Sequence, residues 1–163
     1  NPAGTQVGSF KTDGTLTATK VTASSIDPLV LESFKALPGE SYEPGTLLVI
    51  DPGGSGAVRT SYKAYDTGVV GIVAPDAVVD EHGEVLAVIL GAHGPIGPNG
   101  RLEAYVKVDA SYGAIAPGEL LATSPTPGRA MKASDPKIGT ILGKALEPLA
   151  SGQGLIKVFI TLQ

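Results

Sequence analysis

His82 and His93 are the only histidines in the chain, and Asp76, Asp80, Glu81 and Glu84 crowd the first of them. Such a set could ligate calcium or zinc. Its spacing matches neither the calcium-binding loop nor two histidines one helical turn apart beside a glutamate. Acidic residues in a turn between strands ordinarily face water, so no metal ligand is assigned. A serine hydrolase would place its nucleophile on a strained strand-to-helix elbow, and no G-x-S-x-G occurs. "PGGSGA" (Pro52 to Ala57) has the glycines of a phosphate cradle but neither the following Lys-Ser/Thr nor a helix N-terminus, so it reads as a hairpin loop. Asp-Pro bonds at Asp27, Asp51 and Asp135 are ordinary turn openers. Paired carboxylates brought together in space are not excluded by the sequence. Yet three Phe, five Tyr and no Trp leave few rings to stack on a sugar. No catalytic, cofactor-binding or metal-binding residue is assigned, and no cofactor is expected.

The elements that would carry such groups are short strands. Apolar residues make up 42% and charged residues 17% of the 163, too apolar and too weakly charged for disorder. Twenty-two Gly and 13 Pro would interrupt long helices but suit a dozen strands joined by turns. The net charge of −4, with scattered cations, argues against a nucleic-acid surface. The longest apolar run, Val85 to Leu90, is far short of the roughly 20 residues of a membrane helix, so no membrane span is expected. The absence of cysteine excludes disulfides and thiolate chemistry. Starting at Asn1 without an initiator Met or signal peptide, the chain reads as a processed form or a fragment.

The sequence repeats itself. "EPGTLLVIDPGGSGAV" (Glu43 to Val58) and "APGELLATSPTPGRAM" (Ala116 to Met131) both put Pro-Gly before a double leucine, then a turn, then an apolar residue. With Gly45 over Gly118, Leu47-Leu48 falls on Leu120-Leu121 and Val58 on Met131. After one residue of slippage, "TGVVGIV" falls on "IGTILGKAL", with Gly71 over Gly143, and "GEVLAVIL" falls on "GLIKVFITL". Each copy reads as strand, turn, strand, Gly-containing strand, loop and final strand. Gly71 and Gly143 inside strands signal bulges or close backbone approaches. The expected fold is all-β: a compact, internally duplicated sandwich or barrel, with copies at about 43–90 and 116–162 inside a domain spanning 26–163. "LEAYVKVDA" between the copies alternates as a half-buried strand. "SIDPLVLESFKAL" (Ser25 to Leu37) fits a helix capped at Asp27, though "LVL" serves equally in a strand.

Residues 1–25 form a Thr-rich strand arm with Asp13-Gly14 as a hairpin signal. Its few apolar groups cannot build a core, so the arm needs a partner. Pairing with a sheet of a neighbouring subunit, through Phe10, Leu16, Ala18 and Val21, is the expectation. The alternative is an edge strand of its own domain.

The run from Gly113 to Gln163 resembles a β-rich C-terminal region of bacterial and phage-derived proteins related to tail fibres. The matching phrases are Ile115, Pro117 to Leu121, Thr123-Ser124, Thr126 to Gly128, Ala130 to Ala133, Gly143 to Glu147 and Val158 to Gln163. Glu43 to Asp51 and Asp66 to Val73 are similar to the upstream part of the same proteins. Gly8 to Val21 also resembles strand units of trimeric fibre stems. The resemblance implies no enzymatic activity and carries over no catalytic residue. The function expected is therefore a non-enzymatic, self-assembling β protein, extracellular or on a virion-like particle, whose partner is itself. The alternatives are a ligand- or carbohydrate-binding module and, less favoured, a hydrolase with spatially assembled carboxylates.

Overall fold

Short β-branched and aliphatic runs separated by Gly and Pro turns become strands in the computed structural model, which describes residues 8–10, 16–18, 31–40, 42–74, 79, 81–89 and 103–161. In order these are β1 (Gly8–Phe10), β2 (Leu16–Ala18), β3 (Leu31–Lys35), β4 (Leu47–Ile50), β5 (Val58–Thr60), β6 (Val69–Val73) and β7 (Glu84–Ile89). There follow β8 (Glu103–Asp109), a 3-10 turn at Ala110–Tyr112, β9 (Leu120–Thr123), β10 (Ala130–Lys132), β11 (Ile141–Ala145) and β12 (Gln153–Ile160). The chain is all-β. Of the two readings open over residues 25–37, Leu31–Lys35 takes the strand: it is β3, which pairs antiparallel with β7. Five residues are too few to separate helical spacing from alternation, and pairing with β7 satisfies the backbone groups a short helix would leave open.

Strands β3 to β7 form one sheet in the order β3-β7-β6-β4-β5, and β8 to β12 close into a barrel in the order β10-β8-β12-β11-β9. The pairings correspond strand for strand. In the barrel, β10 meets β8 in parallel at Ala130 and Val108; in the first unit, a parallel bridge joins Val58 to Ala36. Even the irregularities coincide. Between Leu48 and Val49 the partner jumps from Gly71 to Val69, and between Leu121 and Ala122 it jumps from Gly143 to Ile141. The bulges expected from the two glycines lie there. At Gly143 the close approach is also plain, because a Cβ would collide with the Phe159 carbonyl.

The ladders also correct the register. Val58 corresponds to Ala130 rather than Met131, because seven residues separate Ile50 from Val58 and six separate Thr123 from Ala130. Strand β3 corresponds to β8, so each unit begins a strand earlier than its Pro-Gly phrase.

Two cores result. Ala36, Tyr42, Leu48, Val58, Val73, Ala74 and Val85 fill the first unit. Val106, Val108, Leu121, Ala130, Leu142, Ile156 and Val158 fill the barrel, and Leu47, Val49, Val69 and Ile72 of the first unit join that same cluster. Leu47 and Leu48, adjacent in β4 and both fully buried, thus point into different cores. Burial of a side chain of this size is worth about 1.5–3 kcal/mol. The outer face of β4 and β6 is therefore what fastens one unit to the other.

Candidate assembly interface

Among the described residues, the contact between the units is the best-defined recognition geometry. Pro44-Gly45 turns the chain into β4, and the Gly45 N–H donates to Val73 O at 3.0 Å. The Gly45 carbonyl faces away from its own sheet and accepts the Lys107 N–H of β8 at 2.9 Å. Two residues on, Leu47 N–H donates to Gly128 O at 2.9 Å, and Gly128 N–H donates to Ser61 O at 2.8 Å. The first unit thus lays Gly45 to Leu47 along a notch between β8 and the β9–β10 loop. Gly45 is favoured there by its φ of +78° and by crowding: a Cβ would lie 3.3 Å from the Tyr105 carbonyl and 2.7 Å from Leu155 Cδ1, the movable end of a half-exposed side chain. Gly128 is equally constrained: its φ is +65° and a Cβ would lie 2.5 Å from Thr46 Cγ2.

Side chains lock the same notch. Lys107 Nζ lies 2.6 Å from Glu43 Oε2 and donates to Thr46 Oγ1 at 3.1 Å. The Lys107 ammonium holds the Glu43 carboxyl below the usual carboxylate range. Further round, Tyr65 N–H donates to Thr123 O at 3.1 Å and Asp66 N–H to Thr123 Oγ1 at 2.7 Å, and Asp135 N–H donates to Tyr65 OH at 3.1 Å.

A buried carboxylate closes the end of β8. Asp109 is 3% exposed. It accepts from Ser111 N–H at 2.9 Å, Thr126 Oγ1 at 2.8 Å and Gln153 Nε2 at 3.1 Å. Burial opposes its ionisation, but hydrogen bonds from Ser111, Thr126 and Gln153 outweigh that and bring its pKa down to about 2. Its shell is saturated with donors, which makes it a structural carboxylate.

The residues read from sequence as interface candidates lie in the arm. There β1 and β2 pair antiparallel, with Phe10 opposite Leu16 and Ala18 opposite Gly8; Val21 lies outside the described residues. Among the described residues the hairpin pairs with no other strand.

His82 Nε2 lies 3.7 Å from Glu81 Oε1, both side chains well exposed. Asp76, Asp80 and His93 fall outside the described residues, and among the described ones no three His, Asp or Glu converge as a metal site would require. Pro52 to Ala57 lies between β4 and β5 as a hairpin loop, exposed from Pro52 to Gly56 and buried at Ala57, with Ser55 Oγ donating to Asp51 Oδ2 at 2.9 Å. No helix among the described residues is long and apolar enough to cross a membrane.

The notch itself was missed from sequence. Pro-Gly before a double leucine occurs in both units, so the phrase does not tell which of them docks.

No family model matches the chain. No curated protein matches it either. Among solved structures, the chain is similar to the head fibre gp8.5 N base of bacteriophage phi29, with a TM-score of 0.51 and 22% identity. The match covers 81% of this chain and 95% of that one. At this identity the likeness concerns the fold, and it extends across both β units.

Proposed function

We propose that the chain is a non-enzymatic structural component of a phage-like particle or extracellular fibre, one β unit used twice, that assembles with copies of itself through its N-terminal hairpin. The observation that carries the reading is the contrast between arm and body. The two units consolidate around a shared core, while β1 and β2 pair only with each other among the described residues. An isolated two-stranded hairpin is marginal in water, so it gains from a second surface. Phe10, Leu16, Ala18 and Val21 are its apolar contacts in this reading. The matching strand order of the units supports duplication, and the likeness to a head fibre base supports a place on a virion surface.

A second reading has its own observation. On the outer face of the barrel Tyr105 is 50% and Leu155 53% exposed, with Lys157 Nζ 5.7 Å from the Tyr105 ring. A ring flanked by a cation suits a small ligand or sugar on a binding module.

Light scattering and electron microscopy of the purified chain separate the two. Closed particles or filaments are expected, and the loss of residues 1–23 should leave a folded β body of lower mass. A full chain that is monomeric at all concentrations refutes assembly, and a truncated chain with unchanged oligomer mass refutes the arm.

A further inference from the structure

The notch that the barrel uses to hold Gly45 to Leu47 has a counterpart in the first unit. We infer that this counterpart, between β3 and the β4–β5 loop, accepts the N-terminal strand arm of a neighbouring copy; the inference rests on the proposed assembly through the arm.

The ladders fix which groups line it. Ala36 N–H donates to Gly83 O at 2.7 Å, so Ala36–Gly83 is a hydrogen-bonded pair and Lys35–Glu84 is not. Antiparallel pairs alternate in this way, so the N–H of Lys35 and both main-chain groups of Ser33 point away from β7. Lys35 corresponds to Lys107, whose N–H is taken by Gly45, and Ser33 corresponds to Tyr105. The other wall corresponds as well. Gly56 stands two residues before Val58 as Gly128 stands two before Ala130, with φ of +70° and +65°. Gly56 is exposed and a Cβ there would meet nothing within 4 Å, whereas Gly128 is buried under Thr46. Ser33 and Lys35 are exposed too. Among the described residues, no main chain lies in this notch as Gly45 to Leu47 lies in the other.

The floor differs in one side chain. Leu155, whose Cδ1 crowds Gly45, is replaced at the corresponding position by half-buried Glu84, which stands opposite Lys35 in the ladder. With Glu84 opposite Lys35, the notch carries one charge of each sign. Among the described residues β1 and β2 pair only with each other, which leaves the arm without a larger sheet to join. The arm's alternating threonines give it strand character, and main-chain pairing supplies the affinity as in strand addition to other open edges.

The chain has no cysteine, so an engineered pair reports proximity without background. In the full-length chain, Ser33→Cys is combined in turn with Thr15→Cys, Thr17→Cys and Thr19→Cys and oxidised. At least one combination should give disulfide-linked dimers and higher species on a denaturing gel. Adding Lys35→Pro, which removes the outward N–H and leaves the β7 ladder intact, should abolish them, while Lys35→Ala should not. Oligomers that give no cross-link with any combination overturn this acceptor but leave assembly standing. A disulfide confined to the monomer band shows the arm folding onto its own chain and overturns exchange. A chain that never oligomerises defeats both the acceptor and the reading beneath it.

Discussion

The backbone N–H of Lys107 donates to the carbonyl of Gly45 at 2.9 Å, while its ammonium lies 2.6 Å from Glu43 Oε2. One residue thus ties the barrel to both ends of the Glu43-Pro44-Gly45 turn. The exposed ion pair alone would contribute little. Coupled to a main-chain bond and a shared apolar cluster, it fixes the register in which the units meet.

Gly45 and Gly118 open the same turn in the two units, at φ +78° and +89°, so an added Cβ strains both. Only at Gly45 does that Cβ also meet the other unit, 2.7 Å from Leu155 Cδ1, whereas at Gly118 nothing lies within 4 Å. Gly118→Ala should cost about 1 kcal/mol and Gly45→Ala about 2–4 kcal/mol, the difference arising at the unit contact. Urea unfolding of the two variants measures it. Equal losses would mean that Gly45 is needed only for its φ.

The outer faces of the units differ where the first is covered and the second is not. Ile72, 1% exposed and packed in the shared core, corresponds in the ladders to Lys144, which is exposed. Ile72→Lys should therefore cost about 4 kcal/mol or more, because it buries an unpaired ammonium. Lys144→Ile should change stability by about 0.5 kcal/mol or less. Thermal unfolding of both variants tests this; comparable losses would show that the two faces are packed alike.

Gly143 has no room for a side chain, since a Cβ would run into the Phe159 carbonyl across the bulge. That obstacle is backbone in the adjacent strand and cannot rotate away. Gly143→Ala should cost about 3 kcal/mol or more. Circular dichroism against denaturant reports it, and a midpoint within error of the parent chain would contradict the close packing of β11 on β12.

Much of this architecture was legible in the sequence, and for physical reasons. Pro-Gly, the double leucines and the in-strand glycines mark positions where turn geometry and bulges leave little choice of residue, so both units spell them alike. Strand β3 was obscured because "LESFK" and its counterpart "EAYVK" share only Lys35 over Lys107 and an apolar residue, Phe34 over Val106. Their outward positions answer to different surroundings. The hairpin slippage was placed too late because turn residues are exchangeable and a one-residue deletion there leaves no mark. The notch was illegible for another reason: it is made of backbone groups, and which N–H points outward is decided by ladder alternation, not by side-chain type.

Asp109 makes stability depend on pH in a defined direction. Its folded pKa of about 2 lies below the ordinary 3.8, so the unfolded chain binds its proton first as pH falls. The stabilisation is complete above about pH 5, declines between about pH 4 and pH 2, and is gone below the folded value. A shift of this size corresponds to about 2 kcal/mol. Other carboxylates with lowered pKa, Glu43 and Glu119 among them, add slope of the same sign, so the comparison must be with a variant. Asp109→Asn keeps an oxygen for the Ser111 N–H but loses the charge and sets an amide against the Gln153 amide. It should cost about 1–3 kcal/mol at neutral pH. Urea unfolding at several values between pH 6 and pH 2 should show the gap between parent and variant narrowing steadily below pH 4. A gap that stays constant down to pH 2 would mean that Asp109 is held by geometry alone and that its ionisation adds nothing to the fold.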